Sequence, residues 1–215
     1  MLAKLVGWLL LGVVRLLTGA QARWYGCPPK AEQRIYFANH QSHADLVMIW
    51  AALPEELRSI TRPIAARDYW ANTPVKRWIT TEVFNAVYVE RQAPAPDPSA
   101  AVPDEARAVD PLAPLVEALR SGDSIIIFPE GTRGHTGEPQ KFKSGLYALA
   151  TQFPEVVLVP AWIDNVQRVM PKGEIVPVPI LCSVTFGAPI RVEAGEERRP
   201  FLDRARAAVI ALRDV

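Results

Sequence analysis

The chain has 215 residues, 49% of them hydrophobic, and a formal charge of +1. That size and apolar content suit one large domain with a sizeable core and exclude a mostly disordered chain. A charge so near zero excludes a dedicated nucleic-acid binder. Two cysteines, Cys27 and Cys182, are too few for a disulfide framework and fit a reduced compartment.

Residues 2–18 form the first predicted element, an apolar helix carrying Lys4 and Arg15. At about 100° per residue, Leu2, Leu5, Val6, Leu9, Leu10, Val13, Val14, Leu16 and Leu17 share one half of it. Lys4 and Arg15 project together from the other half. Spanning a bilayer takes about 20 apolar residues, and the longest uncharged apolar run here is Leu5 to Val14. The pattern predicts a membrane-associating segment over residues 1–30, with the helix lying in the bilayer interface. Leu5, Leu9, Val13 and Leu16 would insert, and Trp24 would anchor at headgroup level. A buried core helix is the alternative. Ala20-Gln21-Ala22 also resembles a signal cleavage site, but Arg15 inside the apolar region argues against that.

Residues 31–215 alternate short strands and helices. Strands are predicted over 34–38, 83–84 with 87–89, 124–128, 156–163 and 181–186. Helices are predicted over 46–53, 112–120, 144–153 and 201–213. That order indicates an α/β domain with a mixed, largely parallel sheet flanked by helices. Residues 92–111 hold Pro94, Pro96, Pro98, Pro103 and Pro111 and read as an irregular loop. The first 91 residues carry eleven basic and seven acidic side chains, so the positive charge lies toward the N-terminal helix. Between Arg58 and Arg77 the basic residues alternate with Tyr69 and Trp70, and Trp78 follows. This mixture fits an anionic lipid surface, or a solvated face over core aromatics.

Two motifs carry chemistry. In Asn39-His40-Gln41-Ser42-His43-Ala44-Asp45 a strand ends, a turn bears His40, and Asp45 falls in the first turn of a helix. A carboxylate there can reach back to the imidazole, fix its tautomer and stabilise its protonated form. The pair is a general base lacking its own nucleophile, so the substrate must bring the hydroxyl. Ser42 to Asp45 is also an S-x-x-D capping box, which needs no catalysis. A metal site is poorly supplied, because His135 is the only histidine besides His40 and His43. In the second motif, Phe128-Pro129-Glu130-Gly131-Thr132-Arg133 follows an apolar strand. Proline ends the strand, Gly131 permits a tight turn, and the charges emerge at the strand's carboxyl end. Arg133 can grip a phosphate, Lys141 and Lys143 add charge, and Ser144-Gly145 can open a helix that favours an anion.

These motifs resemble those of the glycerolipid acyltransferases, typified by 1-acylglycerol-3-phosphate acyltransferase. Asn39-His40 through Asp45 is similar to the family's first block, N-H-x-x-x-x-D. Asn85-Ala86-Val87-Tyr88-Val89-Glu90-Arg91 resembles the second, G-x-x-x-I-x-R, with Asn85 and Val89 substituted. Phe128 to Arg133 matches the third, and Val159-Pro160-Ala161-Trp162-Ile163 resembles the fourth. The resemblance implies that His40 is the base and Asp45 orients it. It implies that Arg91, Glu130, Gly131, Thr132, Arg133 and Lys141 bind the acceptor, with no metal or cofactor. The expected reaction moves a fatty acyl group from acyl carrier protein or coenzyme A to a lysophospholipid hydroxyl. The expected location is peripheral or monotopic, on the cytoplasmic face of the inner membrane. Another lysolipid, such as lyso-ornithine lipid, is an alternative acceptor. A non-catalytic lipid-binding protein is the alternative from a different class.

Overall fold

A computed structural model describes residues 1–19, 21–42, 44–90, 110–134, 137–164 and 181–215. Arg91, His43, His135 and the proline-rich stretch through residue 109 lie outside the described residues.

Seven strands form one sheet: β1 (Gln21–Trp24), β2 (Arg34–Ala38), β3 (Thr61–Ala66), β4 (Val87–Val89), β5 (Ser124–Ile127), β6 (Val157–Asp164) and β7 (Ser183–Phe186). Their order is β1-β7-β6-β2-β5-β3-β4. Only the β6–β7 pair is antiparallel, so the sheet is mixed and largely parallel as expected. All five residues of β2 are buried, because neighbours pair with it on both edges and helices cover both faces. One face packs under α1 (Leu2–Thr18) and α2 (Asp45–Ala52), around Tyr36, Ala38, Ile49 and Phe186. The other packs under α6 (Ala113–Arg120), α7 (Gly145–Gln152) and α8 (Arg198–Ile210), around Ile35, Phe37, Leu146 and Phe201. The short helices α3 (Glu55–Ser59), α4 (Arg67–Trp70) and α5 (Pro74–Trp78) complete the described set.

The structure departs from the sequence reading at residues 83–84 and adds strand β3. Residues 83–84 are not strand; Ile79–Val83 is a π-helical turn continuing α5. Phe84 is buried edge-on to Trp50 and Trp70, and a two-residue apolar run cannot announce its period. Strand β3 was hidden by Pro63. It pairs with β5 from Thr61 to Pro63 and with β4 from Ile64 to Ala66, so the proline sits where the strand changes partner. Trp24, expected at headgroup level, is part of the sheet. It lies in edge strand β1, half-buried, its ring stacked 4.1 Å from Phe186. The sheet therefore begins inside the segment expected to be membrane-associating.

Helix α1 is largely apolar, with Lys4 and Arg15 exposed. Leu10, Leu11, Val14 and Thr18 turn toward the body, and Gly7 lets the helix approach Val83 closely. The opposite face leaves Leu2, Leu5, Trp8, Leu9, Val13 and Leu16 exposed. No helix among the described residues is long and apolar enough to cross a membrane.

Asn85 adopts φ 49°, the one non-glycine with positive φ among the described residues, where the second block has glycine. Asparagine tolerates this region best after glycine. Asn85→Val should destabilise the fold by about 1–2 kcal/mol, and Asn85→Gly should be neutral or stabilising. Urea unfolding midpoints of the two variants check this.

Candidate active site

Both motifs reach the same edge of the sheet, the carboxyl ends of the central strands. There β2 delivers His40, β5 delivers Pro129 to Arg133, and β3 delivers Arg67. Ligands of open α/β sheets bind at this edge.

His40 is held from several sides. Its Nδ1 lies 2.9 Å from Asp45 Oδ2. With Nδ1–H given to that carboxylate, Nε2 keeps the lone pair and is the basic nitrogen. Asp45 is buried, and the same Oδ2 accepts the backbone N–H groups of Gln41 (2.6 Å) and Ser42 (2.7 Å). The S-x-x-D capping box does not form, because α2 starts at Asp45 with no side-chain cap and the Ser42 hydroxyl accepts Ala44 N–H instead. The Asp45 carboxylate holds the turn before the helix and orients the imidazole. Phe128 stacks on the imidazole at 4.4 Å, which limits ring rotation.

Glu130 does not have the role expected of it. It is 2% exposed, and its oxygens accept the N–H groups of His40 and Gln140, each at 2.7 Å. The His40 carbonyl in turn accepts Gly134 N–H at 2.7 Å. The buried carboxylate thus braces the backbone of His40. Burial pushes its pKa above the usual glutamate range, against the lowering pull of the two N–H groups. Its partner His40 is distant in sequence, so no local pattern could announce this. Asn39 was also missed. Its amide accepts from Ile163 N–H (2.7 Å) and donates to Ile163 carbonyl (3.0 Å), extending the β2–β6 contact by one step beside His40.

The cationic residues are nearby but not all where expected. Gly131 has φ 70°, and a Cβ there would sit 2.6 Å from Lys143 Nζ. Pro129 carbonyl accepts Lys143 N–H at 2.8 Å, which seats this lysine, rather than Lys141, over the Gly131 turn. Lys143, Gly131 and Thr132, with the acidic Glu90 and Asp110, line a cleft of about 430 Å³, whose other walls include Ile64, Leu115, Phe128 and Leu146. Arg133 and Lys141 are exposed and do not line it. Neither Arg133 nor Lys143 has an acidic partner among the described residues.

Replacing Glu130 with Gln puts an amide N–H against a backbone N–H. The unfilled donor should cost about 1–3 kcal/mol of stability. Because Glu130 touches the base's backbone, Glu130→Gln should lower kcat and leave KM nearly unchanged. A raised KM with intact kcat would restore the substrate-binding role. The folded state holds the Glu130 proton more tightly than the unfolded one. This group's contribution to stability is therefore full below the ordinary glutamate pKa and is lost as pH rises through the raised folded value. Unfolding across that window should show the slope in the wild type and lack it in Glu130→Gln.

Comparison with known proteins agrees with this geometry. The sequence profile of the acyltransferase family matches residues 27–164. The coconut (Cocos nucifera) 1-acyl-sn-glycerol-3-phosphate acyltransferase is 31% identical over 178 residues, 77% of this chain and 48% of that protein. The mouse (Mus musculus) 1-acyl-sn-glycerol-3-phosphate acyltransferase alpha is 28% identical over 149 residues, 68% of this chain and 45% of that protein. The chain thus spans about half the length of these relatives. A crystal structure of the 1-acyl-sn-glycerophosphate (LPA) acyltransferase from Thermotoga maritima has the same fold, with TM-score 0.67 and 22% identity. That match covers 99% of this chain and 80% of the other. With the motifs gathered at one sheet edge and the profile spanning them, this chain belongs to the acyltransferase family.

Proposed function

We propose that the protein transfers a fatty acyl group from a thioester, of acyl carrier protein or coenzyme A, to the free hydroxyl of a lysophospholipid. The acceptor we favour is 1-acylglycerol-3-phosphate, and the product is then phosphatidic acid. The observation that carries the reading is the His40–Asp45 contact at 2.9 Å beside the Gly131 turn.

His40 Nε2 takes the proton of the acceptor hydroxyl as its oxygen attacks the thioester carbonyl. The tetrahedral intermediate collapses, the C–S bond breaks, and the imidazolium returns the proton to the leaving thiolate. Asp45 keeps the imidazole in the right tautomer and stabilises its cationic form. No side-chain nucleophile is needed, in keeping with the missing G-x-S-x-G elbow. Arg133 is on the turn and Lys143 is seated over it, and an acceptor phosphate suits them. The curated relatives' names support this acceptor. A panel of lysolipids with and without phosphate, tried with both donors, tests it; equal turnover with a phosphate-free lysolipid would replace it.

The exposed face of α1 supports peripheral attachment to a membrane. Its apolar residues form a strip, with Lys4 and Arg15 exposed along the helix where they can meet headgroups.

His40→Ala should reduce turnover by about 10²–10⁴, with unfolding cooperativity unchanged. Asp45→Asn keeps an oxygen for the turn's N–H groups but loses the charge. It should cut kcat by a similar factor while retaining more stability than Asp45→Ala. Near-normal turnover by His40→Ala would overturn the mechanism. For the membrane, Leu9→Glu places a charge in the exposed strip and should release the protein from sedimenting vesicles at an unchanged melting temperature.

A further inference from the structure

We propose that the segment from Arg67 to Val83 is a second lipid-contacting surface, one that meets anionic phospholipid headgroups beside α1. The inference rests on the reading of α1 as lipid-facing and adds a separate surface to it.

The segment is fixed from beneath and open above. Beneath, Trp70 packs edge-on to buried Phe84, and Gly7 of α1 lies against Val83. Thr73 caps α5 by accepting Lys76 N–H at 3.2 Å, so the helix start is ordered. Above, Val75 is 68% exposed. It borders a cleft of about 660 Å³ that Pro74, Arg77 and Trp78 also line. A lone exposed valine means little, but a valine, proline and tryptophan gathered around a cleft form a patch that water does not favour.

Charge and chemistry then select the partner. Arg77 is exposed at the cleft, and Lys76 Nζ sits 4.2 Å over the Tyr69 ring. Glu82 lines the same cleft and Asp68 lies on the segment, but Arg67, Lys76 and Arg77 together with Lys4 and Arg15 on α1 keep the combined surface cationic. An amphipathic tryptophan beside an arginine suits the headgroup layer, where the ring inserts and the guanidinium meets phosphate. A protein partner would also need shape complementarity, for which these short helices offer little area. The contact of α1 with the π-helical turn makes the two surfaces continuous. Because α4 starts at the carboxyl end of β3, lipid contact here brings the His40 edge of the sheet close to the bilayer.

The test is vesicle co-sedimentation on phosphatidylcholine alone and with phosphatidylglycerol, using Val75→Glu, Arg77→Gln, Arg77→Glu and Leu9→Glu. Melting temperatures and turnover of a short-chain soluble acceptor confirm that each variant is folded and active. At about 1 kcal/mol per basic residue at an anionic surface, Arg77→Gln should bind phosphatidylglycerol vesicles about fivefold more weakly, and Arg77→Glu weaker still. Neither change should matter on phosphatidylcholine alone, whereas Val75→Glu should weaken binding to both. Wild-type binding by the Val75 and Arg77 variants, with release by Leu9→Glu, overturns this inference and leaves the α1 reading intact. Wild-type binding by all four overturns both.

Discussion

A turn that leaves a buried strand must satisfy its backbone polar groups without water. The turn after β2 does so with two carboxylates. Glu130 takes the N–H of His40, and Asp45 takes those of Gln41 and Ser42. Both acids are buried, and neither is tied to an arginine or lysine in the described residues. Backbone dipoles, rather than a cation, therefore offset much of the desolvation cost of these carboxylates. The base inherits its position from this arrangement. Its ring is oriented by the same oxygen that holds the turn before α2, and its backbone is fixed by the acid of the neighbouring strand.

The parts of this site that are local in sequence were legible in it. His40 and Asp45 are five residues apart, and strand, turn and helix start all fall within that window. The Phe128 to Arg133 turn was legible for the same reason, since a proline, a glycine and a run of polar groups follow an apolar strand. What was misread depends on distant partners. Glu130 looked like a ligand because a carboxylate in a turn is usually exposed; its burial comes from His40, ninety residues earlier. Lys143 displaced Lys141 because a carbonyl of the preceding turn holds its N–H.

The fold showed the same division. Long apolar stretches such as β6, and periodic ones such as α1, were read correctly, within a residue or two at their ends. Of the short strands, β4 was read where it lies, but β1 and β3 were not. Four residues of β1 contain tryptophan and arginine beside a membrane-type helix, and only pairing with β7 makes them a strand. Pro63 hid β3, because a proline is an obstacle in a strand only where its missing donor is needed.

The link between α1 and the sheet is short. Thr18, at the helix end, accepts Cys182 N–H through its carbonyl, and Gln21 N–H donates to Cys182 carbonyl. Four ladder pairs then join β1 to β7. Two residues, 19 and 20, lie between the end of the helix and the first strand. A catalytic domain on a flexible leash would tumble above any surface its anchor had reached. If α1 lies on a membrane as proposed, its roll angle, together with the contact made by the Arg67–Val83 segment, sets the tilt of the sheet edge that carries His40.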